Sequence, residues 1–167
     1  TNRYHAELAN ALGNLVNRSL SMLKRYRDGM VPARNDELAG EATAIIEQTI
    51  ARLRNNQLQG GLQSIWSLIR RANEYVDKTA PFKLAKDPDQ AERLDEVLYN
   101  LTETVRILAV LLWPFLPTTA TNIFAQLNLS DTPDRLSSAS WGNLEPGHLI
   151  NKPAPLFPRK DLAPKEA

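Results

Sequence analysis

The segment from residue 94 to residue 112 constrains the fold of this chain more than any other. Its apolar residues recur at helical spacing, and beyond Ile107 it is apolar on every side. A helix that is apolar all round has to be buried, because no face of it is suited to water. We therefore expect the end of this helix to form the buried centre of a helical bundle.

Four further segments show the same helical period, and none alternates with a period of two for long enough to predict a sheet. Turn and capping residues separate the segments. In chain order these are Asp28-Gly29, Asn35 or Asp36 as a cap, Gly60-Gly61, Asp87-Pro88, and Pro117 before Thr118. The pattern predicts an all-α bundle of about five helices. The apolar faces place Leu12, Leu23, Ile46, Trp66, Ile69, Leu101 and Leu108 in its core.

Residues 130–167 differ in character from residues 1–129. They contain six prolines and little helical period, yet they include Trp141, Leu144 and Ile150, which make the segment too apolar for a free linker. We expect a helical bundle at 1–129 and an extended, Pro-rich C-terminal tail at 130–167 that packs on it. The last residues of the tail should fray.

Composition excludes several classes of protein. With 167 residues, 43% of them hydrophobic and 23% charged, the chain can form one globular domain. It has no cysteine, which excludes disulfides and thiolate metal sites. No apolar run approaches the ~18 residues that a membrane span needs. The first residues lack the apolar core of a secretory signal, so we expect a domain boundary there and a cytoplasmic location.

The charge distribution is more informative than the net charge of +1. Residues 18–34 carry five basic side chains and one acidic one, and residues 52–86 carry seven basic and two acidic ones. Residues 87–104 carry six acidic side chains and one basic one. If the two basic segments meet in space, the molecule is polarised. Otherwise these charges are solvated helix faces, and the sequence leaves both interpretations open.

Signals for catalysis are missing from the sequence. It has no Gly-rich phosphate loop, nucleophile elbow or metal-spaced histidine cluster, and its two histidines, His5 and His148, are far apart. We expect no catalytic residue, metal or cofactor within this chain.

The polar side of the first helix is a candidate binding face. A merely solvated face is usually rich in Glu, Lys or Gln, because Asn is a poor helix former. An Asn amide presents a donor beside an acceptor and can distinguish cytosine from uracil, while Arg supplies donors for a base oxygen or a phosphate. An ordinary helix surface stays open as the alternative. The face comprises Asn10, Asn14, Asn17, Arg18, Ser21 and Arg25.

Two residues of the third helix and the following loop are also candidates. Asn73 falls within an apolar stripe, and we expect its amide to brace the turn at 80–82. Phe82 follows Pro81 between two lysines, Lys78 and Lys83. It can be a stacking platform for an unpaired base or a plug for the core, and the sequence does not decide between them.

Several segments resemble the anticodon-binding domain of bacterial methionyl-tRNA synthetases. Residues 10–18 (NALGNLVNR) resemble its opening helix, and residues 72–86 (ANEYVDKTAPFKLAK) resemble its third helix and following loop. The later segments 98–101 (LYNL), 114–117 (PFLP) and 156–159 (LFPR) are similar to its last helices and its closing segment. The resemblance covers essentially the whole chain.

The resemblance implies a function in tRNA recognition. Asn14 and Arg18 match the residues that read the first base of the CAU anticodon, with Asn10, Asn17, Arg25 and Pro81 as further candidates. Phe82 stands where the family has a tryptophan on which bases stack, so it keeps a stacking face but offers less area.

The implied partners are the anticodon stem-loop of tRNA(Met) and the catalytic domain of the same polypeptide, towards which the tail would run. That domain, with its ATP-binding motifs and zinc-bearing insertion, is expected upstream. We therefore expect the chain to be inactive alone, and part of its tail to be loosely held. The alternative is a non-catalytic helical module for protein interaction or scaffolding.

Overall fold

A computed structural model describes residues 2–156 of the chain, with side chains from residue 6 onward. Within this range the protein is an all-α bundle, as predicted, and its only β pairing is an isolated antiparallel bridge between Met30 and Leu149. His5 and the segment from Phe157 to Ala167 lie outside the described side chains. The helices are α1 (Asn2–Arg27), α2 (Ala39–Arg54), α3 (Leu58–Thr79), α4 (Pro81–Leu84), α5 (Ala91–Leu112) and α6 (Pro117–Gln126).

Two helix starts differ from the prediction. Neither Asn35 nor Asp36 caps α2, which begins at Ala39 without a side-chain cap. Asn35 instead accepts a hydrogen bond from the Glu37 amide, because it belongs to the turn before the helix. The glycines at 60 and 61 lie inside the first turn of α3 rather than before it. Asp87 does cap as expected, but it caps a short 3₁₀ turn at Pro88–Gln90 that leads into α5.

Helix α5 occupies the centre of the bundle, as its apolar sequence predicts. Every residue from Val97 to Leu112 is buried, and α1, α2, α3, α4 and α6 all contact this helix. Of the seven predicted core residues, six are buried and Trp66 is only partly buried against the core. Trp66 differs because it lies at the edge of the apolar stripe of α3, where an indole ring is too large to be covered completely.

The helix directions bring the C-terminal ends of α1 and α3 together. Arg27 at the end of α1 binds the carboxylate of Asp95 and the carbonyl of Ala91 at the start of α5, so α1 and α5 run antiparallel. Arg18 of α1 reaches Asp77 near the end of α3. As a result, the polar face of α1 lies beside the turn that follows α3.

This turn depends on a left-handed residue that is not glycine. Ala80 has a φ of 46° and ends α3, and its carbonyl accepts the amide of Lys83 at 2.9 Å. The left-handed conformation costs about 1–2 kcal/mol for a residue with a Cβ atom. It redirects the chain so that Pro81 is buried while Phe82 remains exposed.

A buried ion pair in α5 holds the tail, and the sequence did not reveal it. Glu103 belongs to the acidic segment 87–104, but its side chain is 0% exposed and pairs with Arg106, which is 4% exposed. The Glu103 carboxylate also accepts the amides of Gly142 and Asn143 at 2.6 and 2.8 Å. Arg106 donates to the carbonyls of residues 138 and 140 at 2.9 and 2.7 Å. The pair is therefore buried because the tail covers it.

Aromatic residues extend this contact between the tail and the bundle. The hydroxyl of Tyr99 donates to the Leu144 carbonyl at 3.0 Å, and the Trp141 indole donates to the Asn35 carbonyl at 3.1 Å. The two rings meet edge to face, with their centroids 6.3 Å apart. Burial, followed by the charge of Glu103, raises the pKa of Tyr99 to about 12. Residues 139–144 are thus fastened to the middle of α5.

The rest of the described tail follows the loop after α1 and the end of α6. The amide of Ile150 donates to the Gly29 carbonyl at 2.9 Å, and the amide of Asn151 donates to the Gln126 carbonyl at 3.0 Å. His148 bonds the Leu127 carbonyl at 2.7 Å. These contacts hold the tail against the bundle as far as Asn151.

The Glu103→Gln variant should lose about 3–5 kcal/mol of unfolding free energy, because Arg106 is left with an uncompensated buried charge. Urea unfolding measures the loss. The control is Glu74→Gln, an exposed position on α3, which should change stability by less than about 0.5 kcal/mol. The double variant Glu103→Met, Arg106→Leu should stay destabilised, since the amides of the tail still lack an acceptor. Recovery to the original stability would mean that the carboxylate does not hold the tail.

Hydrogen exchange tests how firmly the tail is held. The sequence predicts that part of the tail is loosely held, whereas the backbone contacts favour protection of the Ile150 and Asn151 amides. Lys152 is exposed and should exchange faster than both. Equally fast exchange at the amides of Ile150, Asn151 and Lys152 would support the prediction that this part of the tail is loosely held.

Candidate nucleic-acid interface

The polar face of α1 is exposed along its whole length. Asn10, Asn14, Asn17, Ser21 and Arg25 are all exposed, and Arg18 is partly buried. They occupy one side of the helix because the apolar residues of the opposite side, such as Leu12 and Leu23, are fully buried. Apart from Arg18, the face is therefore open to a ligand over about four helical turns, from Asn10 to Arg25.

A groove of about 270 Å³ lies between this face and the turn at 80–82. Its floor is apolar and its rim is polar, which suits a flat ring with hydrogen-bonding edges. Its lining consists of Asn17, Arg18, Ser21, Met22, Arg25, Val76, Pro81 and Phe82. The groove thus brings together four of the candidate site residues, Arg18, Asn17, Arg25 and Phe82, along with Pro81.

Asn14 lies beside the groove and does not line it. It precedes Arg18 by four residues, so the two side chains are neighbours on α1, about 6 Å apart along the axis. Asn10 lies one turn further from the groove. A ligand that touches Asn14 and Phe82 together must therefore reach past Arg18.

Arg18 is held at the edge of the groove by an ion pair. Its Nη2 atom lies 3.3 Å from Oδ1 of Asp77, and the two side chains are 37% and 73% exposed. Pairs this exposed are worth about 0–1 kcal/mol, because water and salt screen them. The guanidinium is thus oriented by Asp77 without being withdrawn from a ligand.

Phe82 is a surface residue and not a core plug. Its side chain is 52% exposed, whereas the adjacent Pro81 is buried and fills the interior at this point. The ammonium group of Lys83 lies 6.0 Å from the centre of the Phe82 ring. One face of an aromatic ring is therefore presented to solvent beside cationic groups.

Asn73 does not brace this turn through a hydrogen bond. Its Oδ1 atom is buried and has no hydrogen-bond partner among the described residues. The turn is held instead by backbone bonds, from the Ala80 amide to the Val76 carbonyl and from the Lys83 amide to the Ala80 carbonyl. The prediction that Asn73 braces the turn was wrong. The position of a residue in an apolar helical stripe indicates that it is buried, but not the direction in which its side-chain amide points.

The two basic segments of the sequence meet at the groove. Arg18 and Arg25 come from the first segment, while Lys78, Lys83 and Lys86 of the second are exposed around the turn. Half of the acidic segment is engaged elsewhere, since Asp95, Glu96 and Glu103 pair with Arg27, Arg93 and Arg106. The region around the groove is therefore positive in a protein of net charge +1.

The described residues provide neither a metal site nor a membrane-spanning helix. No group of three or more His, Cys, Asp or Glu residues there could hold a metal ion. No described helix is long and apolar enough to cross a membrane.

Two residues of the groove floor, Met22 and Val76, were not predicted from the sequence as site residues. Met22 follows Arg18 by four residues, a helical spacing that would have placed it there, but the apolar character of both residues assigned them to the core.

Comparison with known proteins identifies the family. The model of the anticodon binding domain of methionyl tRNA ligase matches residues 27–163. Methionine–tRNA ligase of Clostridium tetani is 40% identical over 169 residues, which cover 98% of this chain and 26% of that enzyme. The Bacillus subtilis enzyme is 39% identical over 169 residues, covering 94% of this chain and 25% of that enzyme.

Solved structures agree with the sequence comparison. The apo form of Mycobacterium tuberculosis methionyl-tRNA synthetase superimposes with a TM-score of 0.79 at 32% identity, over 94% of this chain and 33% of that one. The Mycobacterium tuberculosis enzyme in complex with methionyl-adenylate superimposes with a TM-score of 0.79 at 31% identity, over 95% of this chain and 32% of that one. The chain spans about a quarter of the length of the relatives that it matches. It belongs to the family of anticodon-binding domains of methionyl-tRNA ligases.

Proposed function

We propose that this chain binds the anticodon loop of tRNA(Met) as the recognition domain of a methionine–tRNA ligase. The observation that carries the proposal is the groove beside Phe82, where an exposed aromatic face, an arginine pair and the asparagine face of α1 converge. Single-stranded RNA is bound by this combination, because unpaired bases stack on aromatic rings and phosphates attract cations.

Reading of the first anticodon base is assigned to Asn14 and Arg18. The Asn14 amide can accept from the N4 amino group of cytosine and donate to its N3 atom, while uracil presents the reverse order. Arg18 can donate to the O2 atom of the base or to a phosphate. The two side chains are neighbours on α1, so a single base can contact both.

Phe82 supplies the stacking surface, and nearby cations supply attraction for the backbone. Its ring is 52% exposed, and Lys83 lies close to it. Arg25, Lys78 and Lys86 are exposed around the same turn. The attraction between cations and phosphates does not depend on base sequence. These cations therefore add affinity for any RNA loop, while Asn14 adds the preference for cytosine over uracil.

The chemistry belongs to the longer enzyme. In it, methionine and ATP would form methionyl-adenylate and pyrophosphate, and the methionyl group would then pass to tRNA with release of AMP. This chain would contribute binding energy and tRNA identity in the cytoplasm, with its catalytic domain in the same polypeptide. The zinc implied by the resemblance would also lie in that domain, since the described residues provide no metal cluster.

The unsubstituted chain should bind a stem-loop RNA with a CAU anticodon more tightly than one with UAU. Asn14→Ala should remove most of this preference, because the amide that distinguishes the two bases is lost. Titration at several salt concentrations measures both effects, and binding should weaken as salt rises. Equal affinity for the two loops would contradict the role of Asn14. Salt-independent binding would favour a protein-interaction module instead.

Phe82→Ala should cost about 1–3 kcal/mol of stem-loop binding, the usual scale for base stacking. Its stability should change little, since the ring is half exposed, and Phe82→Trp should hold or improve binding because it enlarges the stacking face. Leu58→Ala is the control, since Leu58 is 62% exposed at the opposite end of α3. Normal binding by Phe82→Ala would remove this residue from the site.

A further inference from the structure

The groove continues along α1 beyond the residues assigned to the first base. Asn14 and Arg18 together cover about 6 Å of the helix axis, and the seven residues from Arg18 to Arg25 cover about 10 Å more. Stacked bases follow each other at about 3.4 Å along a strand. A base held by Asn14 and Arg18 therefore leaves the part of the groove beside Ser21 and Arg25 unfilled.

The polar groups of this second part are oriented by a contact with each other. The hydroxyl of Ser21 donates to Oδ1 of Asn17 at 3.4 Å. With that bond made, Asn17 can offer the groove its Nδ2 donors and Ser21 can offer its oxygen as an acceptor. The bond is long, so a ligand can compete for either group. A donor beside an acceptor is the complement of a base edge that presents a ring nitrogen next to an amino group.

The floor and the far end of the groove add two further requirements. Met22 is partly buried, and Val76 and Pro81 are buried, so the floor is apolar and offers contact to a ring face. Of the two bases that follow cytosine in CAU, adenine has the larger ring and carries an amino group next to a ring nitrogen. Arg25 is exposed at the end of the groove and has no ion pair among the described residues, which suits a phosphate.

We propose that Asn17 and Ser21 form a second base-reading site, which takes the middle adenine of the anticodon. Asn17 donates to a ring nitrogen of the base, Ser21 accepts from its 6-amino group, and Arg25 contacts the adjoining phosphate. This inference rests on the proposed function, because it requires the anticodon loop to lie along α1.

The test uses stem-loop RNAs in which the middle adenosine of CAU is kept or replaced by purine riboside. Purine riboside preserves the ring but lacks the 6-amino group. The unsubstituted chain should prefer the adenosine loop by about 5- to 100-fold, the range for a specific base contact. Ser21→Ala should bind the two loops alike, and Asn17→Asp should weaken both. Ser67→Ala and Asn122→Ala, which lie outside the groove, should keep the full preference.

The outcomes separate this inference from the function on which it rests. If the chain still prefers CAU over UAU but does not distinguish adenosine from purine riboside, the second site is overturned and the function stands. A Ser21→Ala variant that keeps the preference also overturns the second site. If the unsubstituted chain binds none of the stem-loops, the proposed function fails and the inference fails with it. Thermal melting of each variant shows that these exposed substitutions leave the fold intact.

Discussion

The carboxylate of Glu103 joins the two parts of this protein, since it sits inside the central helix and binds the backbone of the tail. Removing a charge from water costs several kcal/mol. The ion pair with Arg106 and two short hydrogen bonds from backbone amides of the tail offset that cost. Glycine is favoured at position 142 because its φ is 95°, a backbone conformation in which a residue with a side chain would be strained. The tail is therefore part of the folded unit at this point.

A second buried polar residue organises the loop between α1 and α2. Asn100 is 0% exposed, and its amide accepts from the Leu38 backbone and donates to Asn35 and to the Glu96 carbonyl, each at 2.8 Å. Its side chain is thus well satisfied, as buried amides generally are. Together with Glu103, it fixes the segments around α5 while leaving the outer face of α1 uncommitted.

The candidate site uses this rigidity. Arg18, Ser21 and Arg25 project from a helix whose opposite side is buried, and Phe82 projects from a turn whose proline is buried. Binding groups on such supports lose little conformational freedom when a ligand arrives. The positive charge at the groove is also local, because three of the four acidic residues of α5, Asp95, Glu96 and Glu103, are paired with arginines of the bundle.

The sequence alone determined the all-α class, the burial of α5 and the polar face of α1, because helical periodicity follows directly from the order of residues. The resemblance to the family was also readable, since it rests on the short segments 10–18 and 72–86. Only the tertiary structure decided that Phe82 faces solvent, that Asn73 leaves the turn unbraced and that Glu103 is buried. In each case the outcome depends on groups distant in the chain or on one backbone torsion, such as that of Ala80. A local pattern shows which side of a helix is apolar, but not what will cover its polar groups.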